Sequence, residues 1–181
     1  MTNLRTYVLH LFAGLLVGLL LCVGAQEADE VTRKYEELHQ RYEELYELGH
    51  YREALQIAEA AVDVARSAAQ QRPGRYAMSL HNLATLHRLQ GAYDKAEPLF
   101  LESLNIWVWL FGEEDPDCAN SYMALGVLYE SMGDYEKSEP LLLKARAILA
   151  NASNEQPSEH YVSLHLTSLQ SLASLYESMG A

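Results

Sequence analysis

The sequence predicts an all-α solenoid of stacked helix–turn–helix units, and three observations carry that prediction. A Gly-x-Tyr-x-x-Ala/Ser motif recurs as Gly49-Tyr51-Ala54, Gly91-Tyr93-Ala96 and Gly133-Tyr135-Ser138. Its glycines step by 42 residues each time, and Gly180 follows after 47, closing a verbatim second copy of the string Leu-Tyr-Glu-Ser-Met-Gly. Ahead of Gly91, Gly133 and Gly180, large and small residues fall at the i, i+3, i+4, i+7 spacing of one helix face. A fixed period of this size marks supersecondary units that bury their cores only against their neighbours.

The first 25 residues stand apart from that pattern. Arg5 precedes a run, Tyr7–Ala25, that is apolar except for His10, and Val23 and Ala25 set small residues at −3 and −1 before Gln26. This is the form of a cleaved secretory signal peptide. The competing reading is an uncleaved membrane anchor over residues 7–25, short against the roughly 20 apolar residues that a spanning helix needs. Either way residues 26–181 are expected to be exported, secreted or periplasmic in the cleaved case. Cleavage would leave Cys118 as the lone cysteine, so no internal disulfide would staple the fold.

The chain has 13 Lys and Arg against 25 Asp and Glu, a net charge of −12. Such a surface repels phosphate backbones and anionic headgroups, which argues against nucleic acid and leaves membrane contact only to an uncleaved N-terminus. The charge is spread along the chain, as solvated helix faces require.

The units follow in order. The first, about residues 35–75, opens on the polar stretch Tyr-Glu-Glu-Leu-His-Gln-Arg-Tyr-Glu-Glu-Leu, as the outer end of a solenoid should. The second, about 76–118, carries the stripe Leu80, Leu83, Ala84 and His87, then Gly91, then a helix with Ala96, Leu99, Phe100, Ser103 and Leu104 facing inward. The third, about 119–160, repeats this with Tyr122, Leu125, Gly126 and Tyr129, then Ser138, Leu141, Leu142 and Ala145. The small residues Ala84, Gly126 and Ala173 admit a second helix at close range. Pro98 and Pro140 fall in the first turn of the second helices or just after it, where a missing N–H costs least. Phe111–Ala119 and Asn151–His160 are rich in turn formers and read as connectors, the latter carrying the glycosylation triplet Asn151-Ala152-Ser153. A half unit, 161–181, ends the chain with Leu169, Leu172, Ala173 and Tyr176 on a stripe that has no second helix to cover one side. That stripe is expected to meet a partner helix, a second copy or further chain.

At these residues the sequence resembles a tetratricopeptide repeat protein. Leu-x-Asn-Leu-Ala-x-Leu at Leu80–Leu86, Ala-Glu-Pro-Leu at Ala96–Leu99, Gly-x-x-Asp-Pro at Gly112–Pro116 and the 42-residue step resemble the longer repeats typified by kinesin light chain, here of an exported bacterial type. The resemblance covers about residues 30–181. The first copy departs from it, with Arg41 where leucine is expected and Ala58 in place of an aromatic. The resemblance implies a right-handed superhelix whose first helices line a concave groove for an extended peptide or partner protein. Carried over, the groove residues are Met78, His81, Asn82, Thr85 and Arg88 in the second unit and Asn120, Met123, Val127 and Glu130 in the third. Asn82 matches the position that holds peptide backbone in such grooves, whereas Asn120, at the helix start, has a cap as its alternative reading.

Catalytic constellations are lacking from the sequence. It has no His-Glu-x-x-His, no Cys-x-x-Cys, no phosphate loop and no nucleophile elbow. The pairs Glu36-Glu37, Glu43-Glu44 and Glu113-Glu114 are sequence neighbours, which do not face each other on a helix. His81 and His87 point apart and cannot share a metal, and His87 reads as core. The expected function is therefore an exported, non-enzymatic interaction scaffold without cofactors or metals. Family resemblance supplies the alternative: the N-terminal regulatory or addressing part of a longer enzyme, such as a caspase-like peptidase or a transferase. Trp107 and Trp109 lie in an unusually aromatic stretch, and either could make an apolar contact with a partner.

Overall fold

The computed structural model describes residues 29–155 and 158–180, and the signal-peptide or anchor segment lies outside them. The described residues form seven helices: α1 over 29–47, α2 Tyr51–Ser67, α3 Pro73–Leu89, α4 Tyr93–Phe111, α5 Pro116–Met132, α6 Tyr135–Glu155 and α7 Glu159–Met179. Each helix from α2 onward packs on the next in sequence, while α3 also touches α5 and α5 touches α7. The first helices of successive units thus form a continuous inner layer, and the second helices stand outside it.

Glycine closes each hairpin for one backbone reason. Gly49, Gly91 and Gly133 hold φ of 73°, 74° and 78°, the left-handed conformation that side chains resist. The next residue then donates its N–H back to the carbonyl five positions earlier: His50 to Leu45, Ala92 to His87 and Asp134 to Tyr129, at 2.8–2.9 Å. These bonds satisfy carbonyls that the helix end leaves bare.

The expected inward residues form the core. Leu80, Ala84, Ala96, Phe100, Leu125 and Leu142 are almost wholly buried, and His87 packs among them. At Gly126 α5 and α6 pack too closely for a side chain. A Cβ built there would lie 2.6 Å from Cγ and Cδ2 of Leu142, and the buried Ser138 hydroxyl donates to the Gly126 carbonyl at 2.8 Å. At a different repeat position, the Ser103 hydroxyl of α4 donates to the Ala77 carbonyl of α3, also at 2.8 Å. In the first unit Ala58 stands in place of an aromatic, and its neighbours Tyr42, Leu45 and Val62 make a smaller core.

Stacking between units uses a tyrosine–glutamate bond. Tyr129 on α5 donates to Glu97 on α4 at 2.6 Å, and Tyr176 on α7 donates to Glu139 on α6 at 2.8 Å. Both glutamates come from the (Ala/Ser)-Glu-Pro-Leu string, and both tyrosines from Leu-Tyr-Glu-Ser-Met-Gly. Arg75 on α3 ties the first junction instead, paired with Glu36 and lying over the Tyr35 ring at 5.2 Å.

Several connectors are shorter than the composition suggested. Asp115 caps α5 by accepting from the Asp117 N–H at 2.9 Å, and Pro116 occupies the first turn, so Pro116–Ala119 is helical. The helix α6 runs on to Glu155, which places Asn151-Ala152-Ser153 in its final turns and not in a loop; the Ser153 hydroxyl donates to the Ala150 carbonyl at 2.9 Å. Pro98 and Pro140 sit inside α4 and α6, just past the first turn and solvent-exposed.

The stripe on α7 divides into two. Ser168, Leu172 and Leu175 are buried against the preceding unit, where Leu142, Met123 and Val127 receive them. Leu169, 39% exposed, and Ala173 occupy the positions that a second helix covers in the earlier units. Val162 and Leu166 extend this open edge, at 47% and 55% exposure.

Candidate partner-binding cleft

The inner faces of α3, α5 and α7 enclose one open cleft of about 450 Å3. Its α3 wall is Met78, His81, Thr85 and Arg88, spaced so that they lie on one helix face. Asn120, Met123 and Val127 form the α5 wall, with Ala124 and Ser121 between them, and Thr167 and Ser171 of α7 close the far side. Seven of the nine groove residues carried over from the resemblance thus line a single cleft.

Asn82 and Glu130 do not line it. Asn82 is half-buried and sits one helical step, 100°, round from His81, on the edge turned away from α5. The same position on α5 is Ala124, which faces back toward α3 and does line the cleft. Glu130 is already engaged: its carboxylate accepts from the Ser174 and Ser178 hydroxyls of α7 at 2.8 and 3.1 Å.

Other lining residues lie outside the carried-over groove set, although Trp107 is one of the two tryptophans expected to meet a partner. Phe100 and Trp107 come from α4, a second helix, and give the cleft its aromatic floor. Trp107 is held there by its contact with Gly74, where a Cβ would meet its ring at 3.3 Å, and by stacking on Phe111 at 5.8 Å. Thr167 and Ser171 occupy the positions of Asn120 and Ala124 one unit on, so the alignment that found Asn120 contained them too.

The chemistry of the cleft is mixed. Sulfur and aliphatic carbon line its middle, Arg88 supplies a cation and Asp117 an anion at the opposite helix ends. The His81 ring meets the Phe100 ring edge-on at 5.3 Å. Burial, and then the nearby Arg88, push its pKa down to about 4, so the imidazole is neutral near pH 7. Cys118, behind the wall, is buried and donates to the Gly112 carbonyl at 3.1 Å, and burial pushes its thiol up to about 11. Among the described residues no group of three or more His, Cys, Asp or Glu is placed to hold a metal ion, and no helix is long and apolar enough to cross a membrane.

Comparison with known proteins agrees with this architecture. The tetratricopeptide repeat family model matches residues 75–151. Among solved structures, BtubC (BKLC) from P. vanneervenii superposes with a TM-score of 0.70 at 22% identity, over 81% of this chain and 56% of that one. Two structures of a Podosopora anserina kinesin light chain with nearly identical TPR-like repeats give TM-scores of 0.63 and 0.60 at 23% and 20% identity, covering 81% of this chain and 66% and 67% of theirs. The chain therefore spans little more than half of the first relative's length. No curated protein matches it. The period, the glycine-closed hairpins and the inner layer of first helices give the described residues the fold of a tetratricopeptide solenoid, and residues 75–151 carry its family match.

Proposed function

We propose that this protein is a non-catalytic scaffold that acts after export and holds an extended partner polypeptide in the cleft between α3, α5 and α7. The observation that carries this reading is the convergence of seven residues from two helices on one concave surface. Met78 and Met123 offer adaptable apolar contact, Asn120 and Thr85 offer hydrogen bonds to a peptide backbone, and Arg88 and Asp117 orient it. The apolar start of the chain supports the export half of the reading.

Display selection on the full chain would supply binding peptides. Ala124→Trp, which fills the cleft, and Met123→Glu should each abolish their binding, while Asn82→Ala should leave it intact. Peptides that bind the Ala124→Trp protein as well as wild type would refute the cleft as the site. Mass spectrometry of protein recovered from outside the cell should show an N-terminus at Gln26; retention of residues 1–25 in the membrane fraction would support the anchor instead. The open edge of α7 supports self-association through Val162, Leu166 and Leu169. Sedimentation that is concentration-independent for both wild type and Leu166→Glu would count against it.

A further inference from the structure

A second site lies on the outer layer, and it shares no lining residue with the cleft. Glu102, Asn105, Ile106 and Trp109 follow one another at i, i+3, i+4 and i+7 on α4, so they form a single stripe on its outer side. Pro73 and Tyr76 at the start of α3 face that stripe across a shallow cavity of about 350 Å3. The site is apolar apart from Glu102, Asn105 and the Tyr76 hydroxyl. Trp109 is 76% exposed, the highest value of any large apolar side chain among the described residues. Tyr76 is pinned in place: its hydroxyl donates to Glu102 at 2.9 Å, and Arg66 lies 5.8 Å from the centre of its ring.

We propose that this surface binds a basic side chain, arginine or lysine, presented by a partner polypeptide, with Trp109 as its platform and Glu102 as its counter-charge. An exposed indole at one end of the stripe and a carboxylate at the other suit a ligand that is apolar along its length and cationic at its tip. Seven residues of helix separate Glu102 from Trp109, about 10 Å along the axis. An arginine or lysine covers that span when its backbone rests on the indole and its stem crosses Ile106. A wholly apolar occupant fits worse, because it would strip water from the exposed Glu102 carboxylate and leave it only the Tyr76 hydroxyl, which Arg66 backs at 3.4 Å. The net charge of −12 draws cationic partners toward the surface as a whole, and Trp109 with Tyr76 selects where one docks.

The test uses the full chain and two capped peptides, Gly-Ser-Arg-Gly-Ser-Arg-Gly-Ser and the same peptide with neutral citrulline for arginine. Trp107→Phe leaves Trp109 as the sole tryptophan, so its emission reports directly on the site. Because Trp107 packs against Gly74, acrylamide quenching of wild type is measured in parallel and reads the exposed indole without that substitution. The arginine peptide should shield Trp109 and shift its emission. By calorimetric titration, which needs no tryptophan, Trp109→Ala and the citrulline peptide should each weaken binding about tenfold, and Glu102→Gln about fivefold, whereas the remote, exposed Glu47→Gln should change it less than about twofold. Equal binding of both peptides, equal effects of Glu102→Gln and Glu47→Gln, or no change in Trp109 at millimolar arginine peptide would each overturn the proposal.

Discussion

Replacing Gly126 with alanine tests whether α5 and α6 depend on close approach at that residue. The added methyl would sit 2.6 Å from Cγ and Cδ2 of Leu142, where carbon atoms prefer about 3.5–4.0 Å. Leu142 is 0% exposed and both contacts fall on its branch point and methyl, so about 1 Å must be found by shifting its side chain or α6. Overpacking of that kind costs about 1–3 kcal/mol. Spreading the pair also stretches the 2.8 Å bond from Ser138 to the Gly126 carbonyl, worth about 1 kcal/mol. Against this, alanine is the better helix former by about 1 kcal/mol. The balance is a net loss of about 1–3 kcal/mol, read as a lower urea midpoint by far-UV circular dichroism. Leu142→Ala alone should cost about 2–5 kcal/mol by leaving a cavity. In the double variant the new methyl enters that cavity, so the two losses should fall short of their sum by at least about 1 kcal/mol. A Gly126→Ala protein as stable as wild type, or strict additivity in the double variant, would refute the close-approach reasoning.

Further outcomes follow from the same geometry. His81 has a folded pKa of about 4 against an ordinary 6.5, so the unfolded chain binds more protons between these values; stability should be complete above about pH 6.5 and decline by up to roughly 3 kcal/mol as pH falls to 4, with His81→Gln flattening that slope and an imidazole NMR titration near 6.5 contradicting it. Tyr129→Phe should cost about 1–2 kcal/mol by removing the short bond to the Glu97 carboxylate, and Tyr176→Phe less, because Tyr176 is only half-buried; equal losses in thermal melts would show that burial does not set the difference. Cys118 should react with a thiol reagent at the rate of local opening, since burial disfavours its thiolate; native-state labelling as fast as that of the urea-unfolded chain would contradict its placement.

Much of this architecture was legible because the repeat states the same physics more than once. Gly49, Gly91 and Gly133 announced turns that need a left-handed residue, and the stripe Leu80, Leu83, Ala84, His87 named the core by period alone. The connectors were harder to read. Composition at Phe111–Ala119 and Asn151–His160 marks turn-forming residues without showing which of them cap or extend a helix, and Asn, Ala and Ser can all do so. The cleft was half legible: residues on one helix face follow from spacing, but its floor comes from Phe100 and Trp107, whose contribution depends on how far α4 slides between its neighbours. Asn82 shows the same limit from the other side, since one helical step decides which groove edge a residue faces, and that edge is fixed only by where the next unit stacks.

The two copies of Leu-Tyr-Glu-Ser-Met-Gly separate what a sequence fixes locally from what its neighbours add. Both copies end a helix on a left-handed glycine, at φ of 78° and 75°, and both send their tyrosine to a glutamate of the preceding unit. Those features belong to the string and to the junction behind it. Burial belongs to the junction ahead. Tyr129 is 7% exposed because α6 folds back over α5, while Tyr176 is half-buried with Leu169 and Ala173 open beside it. Leu128 and Leu175, which face the preceding unit, are both 0% exposed. Stacking in this solenoid is therefore directional: each first helix is anchored backward by its own unit's leucine and tyrosine, and is completed forward only by the helix that follows it.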